Sequence, residues 1–210
     1  MITAVLNQKG GVGKTTLATG LAHALELDNP GSTLLIDQDP QGSALDWHEI
    51  NEGRLLPVLG MSRETLPIDI KAVKGQYQNI VIDGAPAADK LAVAAMKVAD
   101  LVIIPVQPSP YDVWSSADIV ELVKARQEIT DGQLKACILI SRAIKNTRIG
   151  KDVLEALEEF QLPVLDNRTT SLVAYPTAAG EGQTVLCGGY DQAAKEIQAI
   201  KAELTEKFGL

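Results

Sequence analysis

ITAVLNQKGGVGKTT, Ile2 to Thr16, is the stretch whose reading decides the fold. The apolar run Ile2–Leu6 has the character of a buried strand, ending at Asn7. A glycine-rich turn then opens a segment, Lys14–Leu27, whose Leu17, Leu21, Ala24 and Leu25 share one helical face. Strand, glycine loop and helix in that order are the context a phosphate-binding loop requires. Glycine lets backbone N–H groups turn toward an anion with no Cβ in the way. The helix N-terminus adds the positive end of its dipole. In such a loop Gly10, Gly11, Val12 and Gly13 supply amides and Lys14 reaches the β- and γ-phosphates of a nucleoside triphosphate. The Thr15 hydroxyl completes a Mg²⁺ shell, and Thr16 bonds the α-phosphate. A dinucleotide fingerprint competes for the same glycines. Gly11 and Gly13 fit its first two, but Thr16 stands where the third belongs, and the Lys14–Thr15 pair favours the triphosphate.

Working outward, short apolar runs alternate with segments of helical period. Strands are expected at Thr33–Asp37, near Val58, at Asn79–Asp83, Leu101–Val106 and Leu134–Ser141, with a short edge strand at Pro163–Leu165. Helices are expected at Ser43–Ile50, Ile68–Lys74, Asp89–Val98, Asp112–Ile129, Gly150–Phe160, Ser171–Ala178 and Tyr190–Phe208. Pro105, Pro108 and Pro110 predict an extended, rigid loop. Wholly apolar strands alternating with helices imply a doubly wound, mostly parallel α/β sheet with helices on both faces. Residues 1–210 read as one such domain, with no repeat or linker. Apolar residues make up 46%, which excludes a disordered tail or a disulfide scaffold. Two cysteines, Cys137 and Cys187, suggest a reducing, cytoplasmic setting. No apolar run approaches the ~18 residues of a membrane span, and no signal peptide precedes the first strand.

Two more strands end in acids. Leu35-Ile36-Asp37-Gln38-Asp39-Pro40-Gln41-Gly42 places two carboxylates at the C-terminal edge of the sheet, where ligands of such folds bind. Spaced two apart in extended chain, they face one side, so that one can serve a Mg²⁺ shell while the other orients water. The metal set is thus Thr15, Asp37 and Asp83, the last ending Asn79–Asp83 as a Walker B acid. Gly84 is expected to let the chain pass close to the phosphates.

Lys9-Gly10-Gly11-Val12-Gly13-Lys14-Thr15-Thr16 resembles the deviant Walker A loop of the ParA/MinD family of P-loop ATPases, in particular its short plasmid-type members. It departs from G-x-x-x-x-G-K-S/T because Gln8 replaces the first glycine and Lys9 precedes the glycine pair. The resemblance implies that Lys9 reaches a partner's nucleotide across a dimer interface and that Asp39 positions the attacking water. With Lys14, these form the expected catalytic set. Pro105–Asp112 is similar to a proline-rich segment that flanks the nucleotide, which adds Pro108 and Asp112 to the nucleotide-binding set; taken alone it is a rigid turn. Ala174-Tyr175-Pro176 and Gly182-Gln183-Thr184-Val185 loosely match an element near the base.

The implied activity is weak ATP hydrolysis with Mg²⁺, stimulated by a small centromere-binding or cargo adaptor protein. The implied role is partition of DNA or positioning of another cargo by a nucleoid-associated homodimer that binds DNA non-specifically. A MinD-like membrane-cycling regulator and a metabolic ATPase are the alternatives. Membrane cycling needs a basic amphipathic terminal helix. Here Lys195, Lys201 and Lys207 on the polar face are balanced by Glu196, Glu203 and Glu206, so the helix reads as packed on the sheet. An iron–sulfur carrier would need paired cysteines. DNA contact requires local cations, since 19 Lys and Arg against 27 Asp and Glu leave a net charge of −8. The best cluster is Arg142, Lys145, Arg148 and Lys151, with Arg168 added. His23, His48, Trp47 and Trp114 read as packing or surface residues.

Overall fold

A computed structural model describes residues 1–86, 90–144 and 151–210. Its strands are β1 (Ile2–Val5), β2 (Thr33–Asp37), β3 (Val58–Gly60), β4 (Asn79–Asp83), β5 (Leu101–Val106) and β6 (Lys135–Ile140). The helices are α1 (Lys14–Asp28), α2 (Ser43–Ile50), α3 (Leu66–Asp69), α4 (Lys90–Met96), α5 (Pro110–Ser115), α6 (Ala117–Ile129), α7 (Lys151–Glu158), α8 (Ala174–Gly180) and α9 (Asp191–Phe208). Short 3₁₀ turns lie at Ile70–Ala72 and Val185–Cys187.

The six strands form one all-parallel sheet in the order β3-β2-β4-β1-β5-β6. β1, β2 and β5 are buried along their whole length, as strands covered on both faces must be. One face packs under α4 and α6, with Met96, Ile119, Val120 and Val123 against Ala4, Ile82 and Ile104. The other packs under α1 and α9, with Leu17, Leu21, Ile197, Ile200 and Leu204 against Val5, Val81 and Ile103. α9 lies close on α1: a Cβ at Gly20 would stand 3.2 Å from Ile197 Cδ1.

Several expected elements differ. The proline-rich segment does not stay extended, because Ser109 caps a helix that starts at Pro110 and accepts from Asp112 N at 3.3 Å. Proline suits that first helical position, where its missing N–H is not needed. The expected single helix over 112–129 breaks at Ser116, whose hydroxyl is buried and engaged with Asp112 O at 2.8 Å and Asn7 Nδ2 at 3.1 Å. The segment expected to be helical from Ser171 first bridges to the edge of the sheet, with Ser171 N on Ala143 O at 2.8 Å, and turns helical only at Ala174. Pro163–Leu165 contributes one bridge, Ile138 to Val164, rather than a strand. The expected start of α7 at Gly150 lies outside the described residues.

Candidate nucleotide site

β1 ends at the middle of the sheet, so the loop that follows it opens at the centre of the C-terminal edge. Gly11 and Gly13 have φ of 76° and 91°, a left-handed conformation that glycine adopts without strain. A Cβ built at Gly10, Gly11 or Gly13 would meet nothing within 4 Å, so the loop fronts open space. Its carbonyls are tied back: Gly11 O accepts from Arg142 Nη1 and Gln107 Nε2, both at 3.0 Å, and Val12 O from Ser141 Oγ at 2.7 Å. α1 starts behind Gly13 with no side-chain cap and no acid in its first turn. Among the described residues, no protein group accepts from the N–H of Lys14, Thr15 or Thr16. Unpaired amides at a dipole's positive end make an anion site. Lys14 is buried and its Nζ rests on Lys9 O at 2.9 Å. Burial lowers its pKa, while Asp83 and Asp39 favour its charged form.

The three acids have different surroundings. Asp37 and Asp83 are register partners on neighbouring strands. Asp37 is buried, and its oxygens accept from Asp39 N at 3.0 Å, Ala44 N at 2.8 Å and Leu45 N at 2.9 Å. It therefore fastens the β2–α2 turn, and it does not line the cavity above the loop. Burial raises its pKa against those three bonds. Asp39 is half-buried and does line the cavity. Asp83 is fully buried and neither oxygen has a partner in good hydrogen-bond geometry, though the Thr15 hydroxyl stands near enough to favour its charged form. Burial pushes its pKa up to about 7; Thr15's hydroxyl and Lys14 oppose this, and Asp37 and Asp39 add to it. An orphaned carboxylate beside a threonine hydroxyl and an ammonium suits a hydrated divalent cation. Gly84 serves packing rather than phosphate approach: a Cβ there would stand 2.8 Å from Val5 O and strike Leu6.

The cavity, about 540 Å³, is of nucleotide size. One wall is Gly10, Gly11 and Gly13–Thr16; another is Thr169–Val173 with Tyr175 and Pro176. Pro108 and Asp112 stand outside it, and Asp112 braces the loop from the side. Asp112 pairs with Lys9 at 2.7 Å and also accepts from the Ser109 hydroxyl. Gln8 donates to Ser115 O, and Asn7 Nδ2 donates to Pro105 O at 2.8 Å. On the outer side of α5, Tyr111 and Trp114 are exposed and meet edge to face at 5.5 Å.

Of the expected DNA residues, Arg142 bonds the phosphate loop and lines the cavity. Arg168 is exposed, Lys151 begins α7, and Lys145 and Arg148 lie outside the described residues. Sequence reasoning missed Ser141, Gln107 and Asn7 as braces of the loop. Their common signal is position, each at or just beyond the C-terminal end of β1, β5 or β6. It also read Glu196 and Glu203 only as charges that balance the lysines of a polar helix face, whereas both are buried acceptors.

Residues 3–185 match the CobQ/CobB/MinD/ParA nucleotide binding domain. The chain is 30% identical over 208 residues to the maintenance of carboxysome distribution protein A of Halothiobacillus neapolitanus, covering 96% of this chain and 94% of that one. It is 26% identical to the sporulation initiation inhibitor protein Soj of Bacillus subtilis, over 76% of this chain and 79% of that one. Among solved structures, a Cyanothece McdA–ATP complex superposes with a TM-score of 0.78 at 19% identity, over 97% of this chain and 95% of that one.

Proposed function

The chain belongs to the CobQ/CobB/MinD/ParA nucleotide-binding family as an ATPase, and from that premise we propose that it is an ATP-driven dimerising switch that positions an intracellular cargo. The observation that carries the reading is Asp83: buried, unpartnered, and close to Lys14 and Thr15 below an open helix N-terminus. Bound Mg²⁺ supplies charge neutralisation for the terminal phosphates. Thr15 would hold it directly and Asp83 through water. Lys14 exchanges its bond to Lys9 O for a phosphate oxygen. Asp39, on the cavity wall, orients the attacking water. Asp37, with three backbone N–H groups on its carboxylate, holds the turn that carries Asp39. Lys9 leaves Asp112 and neutralises charge on the nucleotide of a facing protomer, a desolvated, charge-assisted contact.

The cargo reading draws on the relative named for carboxysome distribution, which aligns with nearly the whole chain. A small adaptor on the cargo would stimulate hydrolysis, and the ATP dimer would hold DNA non-specifically through local cations such as Arg168 and Lys151. α9 itself offers no apolar face for membrane cycling, because it spends Ile197, Ile200 and Leu204 on the core. The test is ATP titration with calorimetry and light scattering. Lys14→Ala should lose ATP affinity by roughly a hundredfold or more. Asp39→Ala should bind ATP but hydrolyse it about 10²–10³-fold more slowly. Lys9→Ala should bind ATP yet stay monomeric and release duplex DNA. Undiminished ATP binding by Lys14→Ala sinks the site, and an ATP dimer of Lys9→Ala sinks the switch.

A further inference from the structure

Two carboxylates of α9 are buried at 8% and 6% exposure, Glu196 and Glu203, and neither touches the phosphate loop. Seven residues apart, they share one face of the helix, beside the apolar stripe that fixes it to the core. Burying a carboxylate is costly unless its lone pairs are used. Glu196 uses them on Thr170 N at 2.9 Å, Thr170 Oγ1 at 2.6 Å, Tyr175 OH at 2.8 Å and Gln192 Nε2 at 3.1 Å. Glu203 accepts from Asp166 N at 2.8 Å, Asn167 N at 2.9 Å, Asn167 Nδ2 at 2.8 Å and Lys207 Nζ at 2.6 Å.

Three of the four bonds to Glu196 thus come from Thr170 and Tyr175, which line the cavity. A nucleotide with its phosphates at Gly10–Thr16 would present its nucleoside to the wall those residues build. The wall is tied onward to the loop: Arg142 N donates to Thr169 Oγ1 at 3.1 Å while its guanidinium holds Gly11 O. α9 also packs on α1 through Ile197 and Gly20, so one helix touches both the element that carries the phosphate loop and the wall across from it.

We propose that Glu196 is a positioning residue for nucleotide binding, setting the nucleoside-side wall of the pocket through Thr170 and Tyr175, with Glu203 anchoring the start of that loop. The inference rests on the ATPase reading above. It predicts that the C-terminal helix tunes affinity for the nucleoside part of ATP while leaving the phosphate subsite and the chemical step alone.

Calorimetry with ATP·Mg²⁺ and with tripolyphosphate·Mg²⁺, which fills only the phosphate subsite, tests it. Steady-state kinetics and thermal melts complete the set, on wild type, Glu196→Gln, Thr170→Val and the double variant. Glu196→Gln should raise the ATP Kd and KM by about tenfold, the scale of one charged hydrogen bond. It should keep kcat at saturating ATP within about twofold and leave tripolyphosphate affinity unchanged, since the binding lost is common to the ground and transition states. Thr170→Val, a single-atom change that keeps the backbone bond, should shift ATP in the same direction. The double variant should be no weaker than Glu196→Gln, because the two act through one contact. Unchanged ATP affinity with a lowered melting temperature, or equal weakening of both ligands, would make Glu196 a structural clamp and overturn the proposal. A wild-type chain without ATP affinity would overturn the ATPase reading itself, and this one with it.

Discussion

A carboxylate without partners is costly inside a protein, and Asp83 is fully buried with both oxygens unpaired. Its pKa, raised by burial to about 7 from 3.8, gives that cost a pH signature. Between those values the folded chain holds a proton that the unfolded chain has released. Stability of the nucleotide-free protein should therefore fall as pH rises through this window and level off above it. Asp83→Asn should remove that slope and gain on the order of 2–4 kcal/mol at pH 8. Urea melts from pH 4 to pH 8 decide it: a wild-type slope retained in Asp83→Asn would show that another group causes it. The same substitution should abolish Mg²⁺-dependent hydrolysis, the usual exchange of stability for function at a site built to hold something else. Lys14 belongs to this scale too, its ammonium held on Lys9 O at 2.9 Å.

Elements show why some of the fold was readable and some was not. β2, β4 and β5 stand at the residues expected of them, because a strand buried on both faces is written locally as an unbroken apolar run. The glycine loop between β1 and α1 was legible for a similar reason: Gly11 and Gly13 take the positive φ that glycine accepts without strain. The break between α5 and α6 was not. It turns on Ser116 meeting Asn7, 109 residues away, and no local pattern records that contact. Glu196 and Glu203 misled for a related reason. Beside Lys195 and Lys207 they look like a charge-balanced polar face, and it takes donors from the 166–170 loop and Tyr175 to make them buried acceptors. α9 is accordingly a structural member of the site. Ile197, 1% exposed against Gly20, is its keystone. Ile197→Ala should cost about 2–4 kcal/mol by cavity formation. It should also weaken ATP binding more than an equally destabilising truncation on the opposite face of the sheet, such as Val123→Ala. Equal ATP affinity in the two variants would confine α9 to stability.

At the scale of the whole molecule, strand order places the chemistry. β1 lies between β4 and β5, so chain leaving it enters a crevice with acidic strand ends to one side and the proline-rich segment to the other. Ligands of doubly wound sheets bind where connections diverge in this way. The two tryptophans sit in contrasting environments of this architecture. Trp47 is 5% exposed, its indole N–H on Gln183 O at 3.0 Å, whereas Trp114 is 66% exposed on the flank that braces Lys9. The chain thereby carries its own optical label. In Trp47→Phe all indole emission comes from Trp114 and should be red-shifted and readily quenched by iodide. If ATP joins two protomers over that flank, emission should move to shorter wavelength and quenching should drop, and neither change should occur when Lys9 is also replaced by alanine. An ATP-induced dimer that left the emission and its quenching untouched would place the contact elsewhere on the surface. The geometry that exposes one indole and seals the other thus turns a fluorimeter into a gauge of assembly, with no dye attached.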